Sequence, residues 1–490
     1  MLESTPTIPK EQKFMGKRTK IVGTLGPSSS DYETQKKLVE SGLNIARLNF
    51  SHGDHATHLK NINSIRKIAE EFKKPVAILQ DLQGPKIRVG KLLNDKMTVE
   101  SGATYLLKYG EVQTVANIIP IDYRGLVHDV KVGQRVMMDD GLLILEVEAI
   151  EDETVHVKVL EGGLLKNRKG VNFPDSKLSM PAMTDKDSKD LLFGIANRVD
   201  FVALSFVQDP ADIIQIKGMI AALGSDVPVI AKIEKLPAID RIDEIAQVAD
   251  GLMVARGDLG VEANVERVPR LQQIIIEAAR KHSKPVIIAT QMLESMITNP
   301  RASQAEVTDV ANGVLDGADA LMLSGEVASG RYPVETVARM ASIINTVEDW
   351  TLSGKFNYKL IVDPEASSDW QTNESVAISA CETADIIGAK AVVCLSLTGS
   401  IAREISKWRP KVPVIAFTPR QDIVNRLNLV WGVRGIINPT FFNTDELLAE
   451  VPSKLKEIGI VNSGDKVVIT AGIPVNKMKP TNMVQVTLIP

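Results

Sequence analysis

Pro228–Asp258 reads PVIAKIEKLPAIDRIDEIAQVADGLMVARGD. A short apolar run ends in the charged residues Lys232 and Glu234. A stretch of helix length follows. A second apolar run, Gly251–Ala255, again ends in charge at Arg256-Gly257-Asp258. Apolar runs without polar alternation mark strands covered on both faces, as in parallel sheets. The segment therefore reads as strand, helix and strand, with both strands ending in polar groups.

The same unit recurs on either side. Runs of this kind occur at Lys20–Thr24, Leu43–Leu48, Pro75–Gln80, Val199–Leu204, Pro228–Lys232, Gly251–Ala255, Pro285–Thr290 and Ala318–Leu323. Between them lie stretches such as Arg270–His282 (RLQQIIIEAARKH), with apolar residues at helical spacing. Eight strand-helix units imply a (β/α)8 TIM barrel, whose functional face is the one at the C-terminal ends of the strands. The rhythm breaks once, after the third strand. Gln134–Met138, Leu142–Val147 and Thr154–Val159 are short, β-rich and punctuated by turns, and read as an inserted small β-barrel domain. Gly84-Pro85 and Met180-Pro181 serve as its hinges. Beyond residue 350 five further strands are expected at Lys390–Leu395, Val412–Phe417, Arg434–Ile437, Lys466–Thr470 and Met483–Leu488. The expected division is an arm at 1–17, the barrel at 18–84 and 182–350, the insert at 85–181 and a C-terminal α/β domain at 351–490.

Composition excludes several classes. Lys and Arg number 57 against 61 Asp and Glu, a net charge of −4 that argues against a general nucleic-acid binder. The two cysteines, Cys381 and Cys394, rule out a disulfide framework and suit a reducing compartment. The first twenty residues carry no apolar signal core, and no apolar run is long enough to span a membrane, so a cytoplasmic protein without membrane partners is expected. No GxxxxGK[ST] loop occurs, so a nucleotide would bind without a P-loop.

The chemistry is expected at the eight strand ends. Lys232 and Glu234 are two apart on one strand and share a face. The next strand ends at Asp258, which brings two carboxylates within reach of one hard divalent cation, the usual holding of Mg²⁺ when substrate and water complete its shell. Arg47 and Lys232 add positive charge, so the substrate is an anion, with phosphate favoured. Gly257 and Asp258 open a helix whose amides suit an anion. Paired carboxylates also serve glycoside hydrolysis, but the adjacent lysine and an aromatic content of 4% argue against it. His52, His55 and His58 share no single helical face. His55 and His58 are expected in solvent, and His52 at the strand end.

The runs TLGPSS (24–29), ARLNFSHG (46–53), DLQGPKIR (81–88), KGVNFP (169–174), AKIEK (231–235), DGLMVARGDLGVE (250–262), IATQMLESM (288–296) and WRPKVPVIAFTP (408–419) resemble, in order, those of the pyruvate kinase family. The long run from Glu306 to Pro333 does so too. The resemblance covers nearly the whole chain from residue 18. It implies a TIM barrel with an inserted β lid and a C-terminal α/β regulatory domain. The implied reaction is phosphoryl transfer from phosphoenolpyruvate to ADP in glycolysis, using Mg²⁺ with Mn²⁺ as a substitute, by a homotetramer. Glu234 and Asp258 would hold the metal, and Lys232 would neutralise the phosphoryl group and the enolate. Arg47 would bind phosphate. Gly257, Asp258 and Thr290 would hold the carboxylate, with Thr290 also in the proton relay. Asn49, His52, Arg88 and Lys169 would lie near the nucleotide. The rival reading is a metal-dependent lyase or aldolase acting on pyruvate or phosphoenolpyruvate.

Two departures matter. Many members carry Glu where this chain has Lys86, and that Glu marks a need for K⁺. Asn49, Ser51, Asp81 and Leu82 match the monovalent-cation region, and Lys86 would supply its own charge there, so activity without K⁺ is expected. The effector loop Ser396-Leu397-Thr398-Gly399-Ser400-Ile401 lacks a cation and a hydroxyl found in members that bind fructose 1,6-bisphosphate. A phosphorylated effector such as AMP or a hexose monophosphate is favoured instead, at Ser396, Thr398, Gly399, Ser400 and Lys477.

Overall fold

The computed structural model describes residues 16–176, 178–355, 368–438, 443–474 and 480–490. Eight strands form a closed barrel, running Lys20–Leu25, Ile45–Asn49, Ala77–Asp81, Phe201–Leu204, Val229–Ile233, Gly251–Ala255, Val286–Ala289 and Ala320–Leu323. Neighbours are parallel throughout, and the first strand closes on the eighth through Lys20↔Ala320. Alternate residues of a strand face opposite ways. Val22, Ile45, Leu79, Ile230 and Ile287 accordingly fill the interior, while Ile21, Ile78 and Val229 pack outward against the helices. Continuous apolar sequence is the direct result of burial on both faces.

The insert holds more strands than the sequence reading named. Its six-stranded sheet orders Val171–Asn172, Arg135–Met138, Leu143–Glu151, Thr154–Glu161, Thr104–Tyr109 and Ile118–Ile121. A separate pair joins Gly163–Lys166 to Lys96–Val99. Arg88 bridges Gly170 at one edge of the large sheet, and Val89 bridges Ile121 at the other. The segment entering the insert thereby joins both edges and rounds the sheet into a small barrel around Leu107, Val136, Leu145, Val157 and Phe173.

The C-terminal sheet orders Val433–Ile437, Val414–Thr418, Ala391–Leu395, Lys466–Ala471 and Met483–Leu488, with only the last strand antiparallel. This domain seals the lower mouth of the large barrel. Leu429 joins the barrel's interior cluster. Asn425 Nδ2 donates to Asp200 at 3.0 Å, and the Trp431 amide donates to Asp319 at 3.0 Å. Both carboxylates precede barrel strands, so the opposite face is left for chemistry. Among the described residues no helix is long and apolar enough to cross a membrane.

Candidate active site

The site grows from four adjacent strand ends. The second strand carries Arg47 and the third ends at Asp81, with Asn49 opposite Asp81 in the ladder. Arg47 Nε and Nη2 meet Asp81 Oδ2 at 2.7 and 2.6 Å, and Nη1 donates to Thr24 Oγ1 at 2.8 Å. Asp81 Oδ1 lies 3.3 Å from Lys232 Nζ. That ammonium also contacts Glu234 Oε1 at 2.9 Å and donates to Ser205 Oγ at 2.6 Å. Glu234 Oε2 accepts the Phe206 amide at 2.7 Å. Charges thus alternate along a buried row, Arg47, Asp81, Lys232, Glu234.

Burial in a low-dielectric site works against every charged form, and neighbours decide the outcome. Burial would raise the Asp81 carboxyl, but Lys232 and Arg47 hold it below the usual range. Burial would lower Lys232, but Asp81 and Glu234 hold its ammonium above the usual range. Glu234 is raised, first by burial and then by the like charge of Asp258, with Lys232 opposing. Two carboxylates that repel across a polar gap fit a hard divalent cation. No cluster of three His, Cys, Asp or Glu side chains exists among the described residues, so substrate oxygens and water would have to complete the cation's shell.

Asp258 lies in the first turn of the helix Arg256–Ala263, which begins directly after the sixth strand. The Gly257 amide donates to Thr290 Oγ1 at 3.0 Å. Thr290 and Gln291 follow the seventh strand with φ of 67° and 56°, and Phe206 follows the fourth with φ of 57°. Left-handed backbone at a β-branched residue is strained and persists only where surroundings enforce it. Arg256 enforces it here: Nη2 donates to the Thr290 carbonyl at 2.6 Å while Nη1 contacts Asp309 at 2.8 Å.

The insert approaches this face from above. A small cleft between insert and barrel is lined by Lys86, Asn172, Phe206, Lys235 and Asp258, and Asn172 Nδ2 donates to Glu262 at 2.8 Å. Lys169 Nζ pairs with Asp139 at 2.7 Å, and Arg88 bridges Gly170 beside it. Lys86 lies along the same segment, its ammonium 3.8 Å from the position a Cβ on Gly170 would take. The structure places Lys86 in the cleft facing Asp258, while the charge partners of Asp81 are Arg47 and Lys232. Ser51 donates its amide to Asn49 Oδ1 at 3.1 Å, and the Leu82 carbonyl accepts from Ser205 Oγ at 2.8 Å. His52 is exposed beyond the second strand.

One histidine expectation is corrected. His58 is buried, stacked on Phe50 with ring centroids 4.1 Å apart, and its Nε2 meets the His52 carbonyl at 3.0 Å. An aromatic partner eight residues earlier in the chain draws it out of solvent. His55 stays exposed on one side but contacts Asp190 at 2.7 Å. The sequence reading placed Thr24, Ser205 and Phe206 at strand ends but gave them no role; they anchor Arg47, Lys232 and Glu234. Their one signal was position, each at or just past a strand end.

In the effector loop, Gly399 adopts φ of 78° and donates its amide to Ser396 Oγ at 2.8 Å, and Thr398 and Ser400 hydroxyls lie 3.1 Å apart. Lys477 lies outside the described residues.

Fold and site define a (β/α)8 barrel whose strand ends set two cations, Arg47 and Lys232, beside the carboxylates Asp81 and Glu234. Known proteins agree. Residues 16–337 match the family model described as pyruvate kinase, barrel domain, and residues 374–487 match pyruvate kinase, alpha/beta domain. The chain is 45% identical to "Pyruvate kinase 2" of Synechocystis over 96% of its own length and 79% of the relative's. It is 41% identical to the pyruvate kinase of Clostridium acetobutylicum over 96% and 99%. A crystal structure of a pyruvate kinase from Cryptosporidium parvum superposes with a TM-score of 0.90 at 33% identity, covering 99% of this chain and 98% of that one. The chain belongs to the pyruvate kinase family and is a phosphotransferase.

Proposed function

We propose that this enzyme transfers the phosphoryl group of phosphoenolpyruvate to ADP, forming pyruvate and ATP in glycolysis in the cytoplasm. The observation that carries the reading is the buried row Arg47, Asp81, Lys232, Glu234 facing Asp258. Phosphoryl transfer needs positioning and charge neutralisation more than covalent chemistry, and this row is a preorganised set of charges. Arg47 binds the substrate phosphate, and Asp81 aims it. Lys232 lies between the two acids with its charge secured, so it neutralises the phosphoryl oxygens in transfer and the enolate left behind. Glu234 and Asp258 would hold Mg²⁺, which would supply Lewis-acid charge to the substrate's oxygens. The amides of Gly257 and Asp258 and the Thr290 hydroxyl receive the carboxylate. Thr290 Oγ1 already contacts the Gly257 amide, so the substrate takes over a preformed donor. Thr290 also feeds the proton relay to the enolate.

Asn49 and His52 on the barrel, with Arg88 and Lys169 on the insert, bind the nucleotide phosphates. The division at 85 and 181 makes the insert a lid, and its closure excludes water from the phosphoryl group. Lys86 supplies positive charge in the cleft, so the enzyme works without K⁺ although Asn49, Ser51, Asp81 and Leu82 remain. The C-terminal domain binds a phosphate monoester effector at Ser396, Thr398, Gly399, Ser400 and Lys477, and the enzyme works as a homotetramer.

The test is pyruvate formation from phosphoenolpyruvate, ADP and Mg²⁺, with and without K⁺. Equal turnover in both buffers is expected. Turnover only with K⁺ would overturn the role of Lys86. Turnover without ADP would overturn the kinase reading in favour of a lyase.

A further inference from the structure

The helix Asp185–Ala196 begins a few residues past Met180-Pro181. Its third residue, Asp187, is completely buried. One carboxylate oxygen serves as a cap. Oδ2 accepts the Thr184 amide at 2.9 Å and the Thr184 hydroxyl at 2.6 Å, and the Asp187 amide donates back to Thr184 Oγ1 at 3.1 Å. A capping box of this kind satisfies the first turn of a helix locally. The other oxygen reaches away from the helix. Oδ1 accepts the Gly84 amide at 3.1 Å, from 103 positions earlier in the chain.

Gly84 lies where the third barrel strand hands the chain to the insert. It is buried and takes φ of 70°. It packs flat on the residues that end the fourth strand: a Cβ added to it would stand 2.8 Å from Ser205 Cβ and 2.9 Å from Phe206 Cδ2. Two positions earlier, the Leu82 carbonyl accepts Ser205 Oγ at 2.8 Å, and the Leu82 amide donates to the Ala203 carbonyl at 3.1 Å. Ser205 Oγ in turn accepts Lys232 Nζ at 2.6 Å, and the Phe206 amide donates to Glu234 Oε2 at 2.7 Å. A continuous run of contacts leads from Asp187 through Gly84 to the charged row. On the other side, the Ile87 carbonyl accepts the Val171 amide at 3.0 Å within the insert. Only Pro85 and Lys86 separate the segment fixed to the barrel from the segment fixed to the insert.

We propose that Asp187 is a positioning residue for phosphoryl transfer. It pins Gly84 to the barrel, so that Ser205 and Phe206 keep Lys232 and Glu234 in place while the insert moves. The proposal rests on the kinase and lid reading above. Without the pin, the buried Gly84 amide loses its acceptor, and movement of the insert passes to the strand end. A displacement of about 1 Å at a reacting group can cost about 100-fold in rate.

The test compares Asp187→Ala, which removes both oxygens, with Thr184→Val, which removes the cap hydroxyl and leaves Gly84 held. Both should lower the thermal midpoint. Well below that midpoint, Asp187→Ala should lower kcat by about 10- to 100-fold, with KM for phosphoenolpyruvate moving less. Thr184→Val should keep kcat within about twofold of the parent, the margin of a helix cap remote from the chemistry. An unchanged kcat in Asp187→Ala would overturn the proposal and leave Asp187 a helix cap, and an equal loss in Thr184→Val would overturn it too. Hydrogen exchange of the unaltered chain, without substrates and resolved to single amides, gives a second readout. The Gly84 amide should exchange as slowly as that of Leu82 on the barrel. Exchange at Gly84 as fast as at Ala182, between the two folded units, would overturn the proposal even if Asp187→Ala fails to fold. That readout involves no turnover, whereas absence of pyruvate formation by the unaltered chain would overturn the kinase reading instead.

Discussion

Arg47 grips Asp81 through a single oxygen: Nε and Nη2 both reach Oδ2, at 2.7 and 2.6 Å. The other oxygen is thereby left to Lys232, at 3.3 Å. One buried acid holds both cations of the site. Asp81→Asn keeps the shape and removes the charge. Unpairing a buried ion costs about 3–5 kcal/mol, so urea unfolding should show a loss of that order, and kcat should fall more than KM rises. Because the folded-state value of Asp81 is depressed, its stabilisation is present above about pH 4 and is lost as pH falls through the lower folded value. The variant should lack that part of the acid limb.

Ser205 links Lys232 to the Leu82 carbonyl. A hydrogen bond to a charged group contributes about 1.5–3 kcal/mol. Ser205→Ala should therefore lower kcat by about 10- to 100-fold. The thermal midpoint should fall little, because Lys232 retains Asp81 and Glu234. Unchanged kcat would remove Ser205 from the machinery.

Lys86→Glu should convert the enzyme to K⁺ dependence. The expected result is turnover near the parent level in K⁺ and a large loss in a buffer whose only monovalent cation is tetramethylammonium. Equal turnover of the variant in both buffers would sever Lys86 from the monovalent-cation site.

Lys20 is buried, donates to the Val433 carbonyl at 2.8 Å and is brought by burial from the ordinary 10.5 to about 8. The unfolded chain holds this proton more tightly, so the contribution of Lys20 to stability rises with pH between about 8 and 10.5 and is lost as pH falls through 8. Comparing the chain with Lys20→Met should show a difference on the order of 3 kcal/mol developing across that window. A difference independent of pH would show that Lys20 titrates normally.

Much of this architecture is legible in sequence. The barrel strands lie within two residues of the apolar runs, because burial on both faces writes itself into continuous Val, Ile and Ala. Lys232 and Glu234 were readable from the strand period, and Asp258 from its place after the next strand. The hub role of Asp81 was not. Its partners lie 34 positions back, at Arg47, and far ahead, at Lys232, and only closure of the barrel brings them together. The insert strands Lys96–Val99, Thr104–Tyr109, Ile118–Ile121 and Gly163–Lys166 escaped because they are short and several are half exposed, which blurs any alternation. Gly84 was read as a hinge from its place before Pro85, and its backbone takes φ of 70°. Its second constraint is tertiary, since a Cβ there would stand 2.8 Å from that of Ser205.

The third and fourth barrel strands pair directly, Leu79 with Phe201 and Asp81 with Ala203, although about a hundred residues of insert separate them in the chain. The wall has no seam where the insert departs and returns. The insert is a detour that begins and ends at one address, and the barrel's hydrogen-bond ladder takes no account of what travels along it. Such a junction is a natural splice point: the detour can lengthen, shorten or be exchanged for another folded unit while the wall beneath closes as before.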